Sequence, residues 1–455
     1  MGLKLKILRL SMNIKKTENA LSVTLKNFIK SESFGGIFLF LNAVLAMVVA
    51  NSFLKESYFA LWHTPFGFQI GDFFIGFSLH HWIDDVLMAL FFLMIGLEIK
   101  RELLFGELSS FKKASFPVIA AIGGMIAPGL IYFFLNADTP SQHGFGIPMA
   151  TDIAFALGVI MLLGKRVPTA LKVFLITLAV ADDLGAIVVI ALFYTTNLKF
   201  AWLLGALGVV LVLAVLNRLN MRSLIPYLLL GVLLWFCVHE SGIHATIAAV
   251  ILAFMIPVKI PKDSKNVELL ELGKRYAETS SGALLTKEQQ EILHSIEEKA
   301  SALQSPLERL EHFLAPISGY FIMPLFAFAN AGVSVDSSIN LEVDKVLLGV
   351  ILGLCLGKPL GIFLITFISE KLKITARPKG ISWWHILGAG LLAGIGFTMS
   401  MFISNLAFTS EHKDAMEVAK IAILLGSLIS GIIGALYLFL LNQRAALKIV
   451  KNAII

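Results

Sequence analysis

Along this chain apolar residues gather into runs of roughly 17–25, the length at which a helix rising about 1.5 Å per residue crosses a hydrocarbon layer. Short polar stretches separate them. The pattern predicts twelve membrane spans, at residues 34–50, 82–105, 115–135, 145–163, 169–194, 201–217, 224–238, 242–257, 313–333, 346–369, 384–408 and 418–442. The chain divides accordingly into a polar N-terminal segment (1–33), spans one to eight (34–257), a polar insert (258–308), spans nine to twelve (309–442) and a tail (443–455). The fold class expected is an all-α polytopic membrane protein.

Two of the polar stretches carry patterns of their own. In "TPFGFQIGDFFIGFSLHHW", residues 64–82, aromatics alternate with small residues around Gly71 and Asp72, as a β-hairpin requires. Two readings stand there: an aromatic belt at the membrane surface, or an extended hairpin through which a homodimer pairs. Within the insert, "TKEQQEILHSIEEKASAL" opens with Thr286 and Gln289 in capping-box spacing and places Ile292, Leu293 and Ile296 on one face. That is an amphipathic surface helix.

Composition agrees with the hydropathy pattern and excludes a soluble enzyme. Of 455 residues 57% are hydrophobic and 15% charged, with a mean hydropathy of +0.83. Lysine and arginine crowd alternate connections, while the other set holds only Lys55, Lys199, Lys345, Lys413 and Lys420. The imbalance predicts cytosolic N- and C-termini. Residues 1–33 hold no apolar core, so no cleavable signal peptide is expected. The formal charge of +6 follows from this topology and from anionic lipid as a partner, with no nucleic acid implied. Cys237 and Cys355 both fall in apolar spans, read as packing residues.

Two spans are interrupted. Gly144, Gly146 and Pro148 precede "MATDIAFALG", and Gly388, Gly390, Gly394 and Gly396 loosen "GAGLLAGIGFTMSMFIS". Each is the middle member of a three-span group, 115–194 and 346–442. Irregular backbone at membrane depth is tolerated where it is buried in protein or lines a wet cavity, and matching breaks in two halves point to inverted repeats.

The ionisable residues deep in spans are Asp152, Asp182, Asp183 and Lys358, with Asp85 and Glu98 nearer the ends of theirs. An acid at the bilayer centre costs roughly 2.5–3.5 kcal/mol on insertion scales. A structural pair of Lys358 with one aspartate accounts for two charges and leaves a surplus of acid. Asp182 and Asp183 point about 100° apart on a helix, so they face different surroundings. Carboxylates are hard oxygen ligands that also bind protons, so a small cation and protons compete for the same oxygens. Thr151 adds a neutral oxygen beside Asp152 at a helix break.

Seven ordered motifs then match a family. "LFFLMIGLEIKREL" (90–103), "ATDIAFALG" (150–158), "LAVADDLGAIVVIA" (178–191), "SGIHATIAAV" (241–250), "PLFAFANAGV" (324–333), "LGKPLGI" (356–362) and "GIGFTMSMFI" (394–403) resemble the NhaA sodium/proton antiporters over residues 34 to about 442. The resemblance implies twelve helices, inverted repeats with two discontinuous crossing helices, and a multi-pass protein of the bacterial inner membrane. It implies no cofactor and no enzymatic activity, with Na⁺ or Li⁺ and protons as substrates and electrogenic, pH-regulated exchange. Carried onto this sequence, Asp182 and Asp183 hold the transported ion and protons, Asp152 and Thr151 line the site, and Lys358 compensates charge. Asp183 is assigned the sodium and Asp182 a proton-linked pairing with Lys358. Residues implied in the pH response are Glu98, Arg101, His244, Glu311 and His312, with Ala315 standing where some relatives have a second histidine. Glu98 and Arg101 are also spaced as an i,i+3 surface pair.

The alternatives are an antiporter of the same fold with another cation preference, and an intramembrane aspartyl protease. The protease needs acids on separate helices and a GxGD motif, which the sequence lacks.

Overall fold

The computed structural model describes residues 32–70, 73–195, 198–258, 266–278, 285–334, 344–408 and 412–454. They form two compact units, one from the described residues up to Asp84, from Glu107–Ile190 and from Gly319 onward, the other from those of Asp85–Gly106 and Ala191–Ser318.

The first unit is built on close helix contacts. Helix Phe111–Leu135 packs against helix Lys358–Lys371 at paired glycines. A Cβ on Gly361 would sit 2.2 Å from the Gly123 carbonyl oxygen, and one on Gly123 would sit 2.4 Å from that of Gly361. Only glycine lets the two backbones approach this closely, the small-residue packing that apolar helices use where lipid offers no competing hydrophobic force. Just before Lys358, residues Gly353–Gly357 widen into a π-helix. Pro359 explains the widening, because its ring has no N–H and crowds the carbonyl four residues back.

Both glycine- and proline-rich stretches are broken where the sequence interrupts them. Pro140–Met149 runs as a 3-10 helix and bends by 40° into helix Ile153–Leu162, while Trp383–Ala393 bends by 51° into Phe397–Ala407. The first broken span thus starts at residue 140, five residues before the predicted 145. Helix Glu32–Ala50 turns through 112° into Lys55–His63. Strands β1 (Pro65–Ile70) and β2 (Phe73–Ser78) then pair antiparallel in full register. Gly71 and Asp72 themselves lie outside the described residues. The last helix continues from Lys413 to Ile454, through the segment read as a tail.

The second unit packs helix Met88–Phe105 against Thr246–Met255, where a Cβ on Gly96 would lie 2.7 Å from that of Ala253. Lys100 reaches the end of the latter helix and donates to the carbonyls of Phe254 and Ile256. Helix Phe200–Arg218 exposes Leu204, Leu207, Leu211 and Val215, a continuous apolar stripe suited to lipid rather than water. In the insert, helix Lys287–Leu303 begins with reciprocal bonds between Thr286 and Gln289, and Ile292 is buried.

Among the described residues six helices are long and apolar enough to cross a membrane, or up to nine if each bent pair is one span. The predicted twelve exceeds that number for physical reasons. Leu224–Glu240 and Thr246–Met255 are short, and Met88–Phe105 ends in Glu98, Lys100, Arg101 and Glu102.

Candidate ion site

Helix Thr169–Phe193 carries Asp182 and Asp183 side by side, 2% and 4% exposed. Both belong to the first unit, as do the two broken spans and Lys358. The breaks meet there through their backbones and side chains. Asp152 donates its N–H to the Ile395 carbonyl at 2.7 Å, and Thr151 Oγ1 donates to the Ala393 carbonyl at 3.0 Å.

Asp152 is the N-cap of helix Ile153–Leu162. Its Oδ1 accepts from the Phe155 N–H at 2.9 Å, while Oδ2 accepts from the Thr398 N–H at 3.2 Å and from the Thr398 hydroxyl. A carboxylate at the positive end of one helix therefore also binds the first turn of another. It clasps the two breaks together. Thr398 was not singled out from the sequence, although it sits inside a quoted motif. Its signal is a hydroxyl placed two residues past Gly396.

Lys358 answers the opposite end. Its Nζ donates to the Met149 carbonyl, left over where the 3-10 half-span ends, and lies 2.8 Å from Asp182 Oδ2. One ammonium thus neutralises both a helix terminus and a carboxylate.

Thr151 Oγ1 stands 2.6 Å from Asp182 Oδ2 as well as 3.0 Å from the Ala393 oxygen. A hydroxyl has one hydrogen, so it cannot donate to both at once. When Asp182 is ionised the hydrogen is divided between two acceptors. When Asp182 is protonated it can donate to Thr151, which donates onward to Ala393. The arrangement accepts either protonation state. Asp182 Oδ1 is buried and has no hydrogen-bond partner among the described residues. A buried carboxylate oxygen left over in this way, next to a second buried acid, suits a small hard cation.

The remaining predicted residues lie in the second unit. Arg101 reaches beyond its own helix: its Nε donates to both oxygens of Glu311, at 3.0 and 3.1 Å, and Nη1 lies 3.2 Å from Glu102. His312 is exposed. His244 places Nε2 3.6 Å from Asp85 Oδ1 and Nδ1 2.9 Å from the Thr246 hydroxyl. His239 faces the other Asp85 oxygen at 3.6 Å, so one largely buried carboxylate gathers two imidazoles.

Comparison with known proteins gives one consistent result. Residues 26–438 match the family described as Na⁺/H⁺ antiporter 1. The chain is 98% identical over 437 residues to the Na⁺/H⁺ antiporter NhaA of Helicobacter pylori strain HPAG1, covering 96% of this chain and 100% of that one. It is 58% identical over 434 residues to the NhaA of Wolinella succinogenes, covering 94% and 95%. A solved sodium proton antiporter from Methanocaldococcus jannaschii is similar in fold, with a TM-score of 0.50 at 13% identity, covering 97% of this chain and 99% of that chain.

Proposed function

The chain belongs to the Na⁺/H⁺ antiporter 1 family and exchanges sodium ions for protons across a membrane, and from that premise we propose how its buried charges do so. It is a transporter and not an enzyme, with sodium and protons as its substrates.

Asp183 and the free oxygen of Asp182 hold the transported Na⁺. The observation that carries this reading is the crowded Oδ2 of Asp182, engaged by Lys358 and Thr151, beside its unpartnered Oδ1. Asp182 exchanges its proton through the pairing with Lys358 and Thr151, and Asp183 loses its own to admit the cation. Asp152 and Thr151 line the site and keep the two breaks crossed. Lys358 compensates charge on the ammonium side. Li⁺ is a second substrate, since the ligands are hard oxygens.

Two protons released per Na⁺ admitted make the exchange electrogenic, worth about 2.3 kcal/mol per net charge per 100 mV. The fold consists of twelve spans in inverted repeats, with both termini in the cytosol of a bacterial inner membrane and the hairpin 64–82 serving a homodimer. What supports this is the pair of bent spans whose breaks bond to each other, and the lysine and arginine bias along the chain. Glu98, Arg101, Glu311, His312 and His244 set the pH response. What supports this is that the group includes the ion pair of Arg101 with Glu311 and the contact of His244 with Asp85, both between oppositely charged or ionisable side chains.

Inside-out vesicles with an acidified interior test the assignment. Added Na⁺ collapses the pH gradient with the native protein and leaves it intact with Asp183→Asn. Equal collapse by both would remove Asp183 from the site, and no response of active native protein to Na⁺ or Li⁺ would remove the function.

A further inference from the structure

The first unit contains a second, partly buried polar cluster, at the far end of helix Phe397–Ala407 from the ion site. Asp84 Oδ1 accepts from Asn330 Nδ2 at 3.0 Å, and Asp84 Oδ2 accepts from Asn405 Nδ2 at 2.9 Å. Asn405 Nδ2 also donates to Asn330 Oδ1 at 2.7 Å. His80 Nδ1 lies 3.2 Å from the same Asp84 oxygen. Lys420, itself buried, sits within electrostatic range of Asp84 and of Glu417. Asn330 is fully buried at the end of helix Met323–Asn330.

Nothing in the ion chemistry requires these residues, yet their place on the helix is specific. Phe397–Ala407 is only eleven residues long, starting at the break after Gly396 and ending before Phe408. No continuing helix fixes its position along its own axis. At its first turn Phe397 donates its N–H to Ser427 Oγ at 3.0 Å, and Thr398 binds Asp152. At its last turn Asn405 binds Asp84. Thr398 and Asn405 are seven residues apart, two turns or about 10.5 Å, and so lie on nearly the same face. A shift at one end is delivered to the other, because an intact helix does not stretch.

We propose that Asp84 and Asn405 are positioning residues for Na⁺ exchange. They anchor the outer end of this short helix, on the orientation proposed above, so that Thr398 meets Asp152 at the crossing. The inference rests on the reading that Asp152 lines the ion site. Asp84 is suited to this because one carboxylate accepts from amides on two separate helices, with Lys420 offsetting its charge. Neither residue touches the ion.

The test is the dependence of exchange rate on Na⁺ in vesicles for Asp84→Ala, Asn405→Ala and the double variant, normalised to folded protein by size-exclusion chromatography. Each single variant is expected to raise KM for Na⁺ about ten-fold, the factor for losing a hydrogen bond to a charged group, with a smaller change in maximal rate. The double variant is expected to raise KM by clearly less than the product of the singles, because both remove the Asp84–Asn405 bond while each also loses its own bond to Asn330. If Asp84→Ala does not fold, Asp84→Asn, which keeps one acceptor oxygen, takes its place with the same split expected. A merely structural role would lower folded yield and leave KM unchanged, and that result, or additive effects in the double variant, overturns the proposal. Thr398→Ala separates the two readings. A raised KM there with unchanged KM in the anchor variants sinks the anchor alone, while unchanged KM in Thr398→Ala sinks the Asp152 side of the ion site as well.

Discussion

Lys358 Nζ lies 2.8 Å from Asp182 Oδ2, with both side chains almost wholly buried, and the two residues come from helices 176 positions apart in sequence. Such a pair is costly to form and more costly to break, since removing one partner leaves an uncompensated charge. Lys358→Met alone should therefore lower stability by about 3–5 kcal/mol. Combining it with Asp182→Leu should restore stability close to native without restoring exchange. Thermal unfolding in detergent and vesicle transport, measured on the same preparations, separate the two effects. A double variant that transports would show that the pair is structural only.

Thr151 supplies the hydrogen that Asp182 Oδ2 and the Ala393 carbonyl share. Thr151→Val should raise KM for Na⁺ by about ten-fold, because both acceptors lose a donor inside a buried site. Thr151→Ser keeps the hydroxyl and should stay near the native value. Equal KM in the two variants would show that the hydroxyl does not take part.

The glycine contact between helices Phe111–Leu135 and Lys358–Lys371 gives a stability prediction with its own control. Gly361→Ala would place a methyl group 2.2 Å from the Gly123 backbone oxygen, which can yield only by separating the helices that present Lys358. It should cost at least about 1–3 kcal/mol. Gly208→Ala meets nothing within 4 Å and lies in a regular helix, so it should be neutral or stabilising by up to about 1 kcal/mol. Melting temperatures of the two variants should move in opposite directions.

His80 carries a pH signature. Burial holds its imidazole below the ordinary 6.5, with Lys420 and His63 acting in the same direction and Asp84 and Asn330 opposing. A histidine whose folded-state pKa is lowered contributes stability that is complete above 6.5 and lost as pH falls toward the folded value. Native melting temperature should fall more steeply than that of His80→Gln on going from pH 8 to pH 5. Parallel curves would mean that His80 does not contribute to the acid sensitivity.

The residues that deviate from their surroundings were legible in sequence. Two acids inside "LAVADDLGAIVVIALF", a lysine in "LGKPLGI" and the glycine breaks all contradict an uninterrupted apolar helix, and a contradiction of that kind marks a site. What sequence could not supply was tertiary pairing. Asp152 and Thr398 are 246 positions apart, and no spacing rule connects them. The second partner of Lys358 is a backbone carbonyl, which has no signature in side-chain chemistry. Arg101 shows the same limit, since helical spacing can suggest only neighbours on its own helix, and its bond to Glu311, 210 positions away, has no such signature. Counting spans by length and hydropathy says least where hydrophobic length is divided between short helices, as in Thr246–Met255.

The central claim is that Na⁺ and protons compete for Asp182 and Asp183. Proton release on Na⁺ addition to purified protein in weakly buffered detergent solution tests it most directly, without vesicles or gradients. Native protein should release protons in proportion to bound Na⁺, and Asp183→Asn should release none over the same concentration range. Sodium binding to native protein with no proton released, or equal release from Asp183→Asn, would contradict the account.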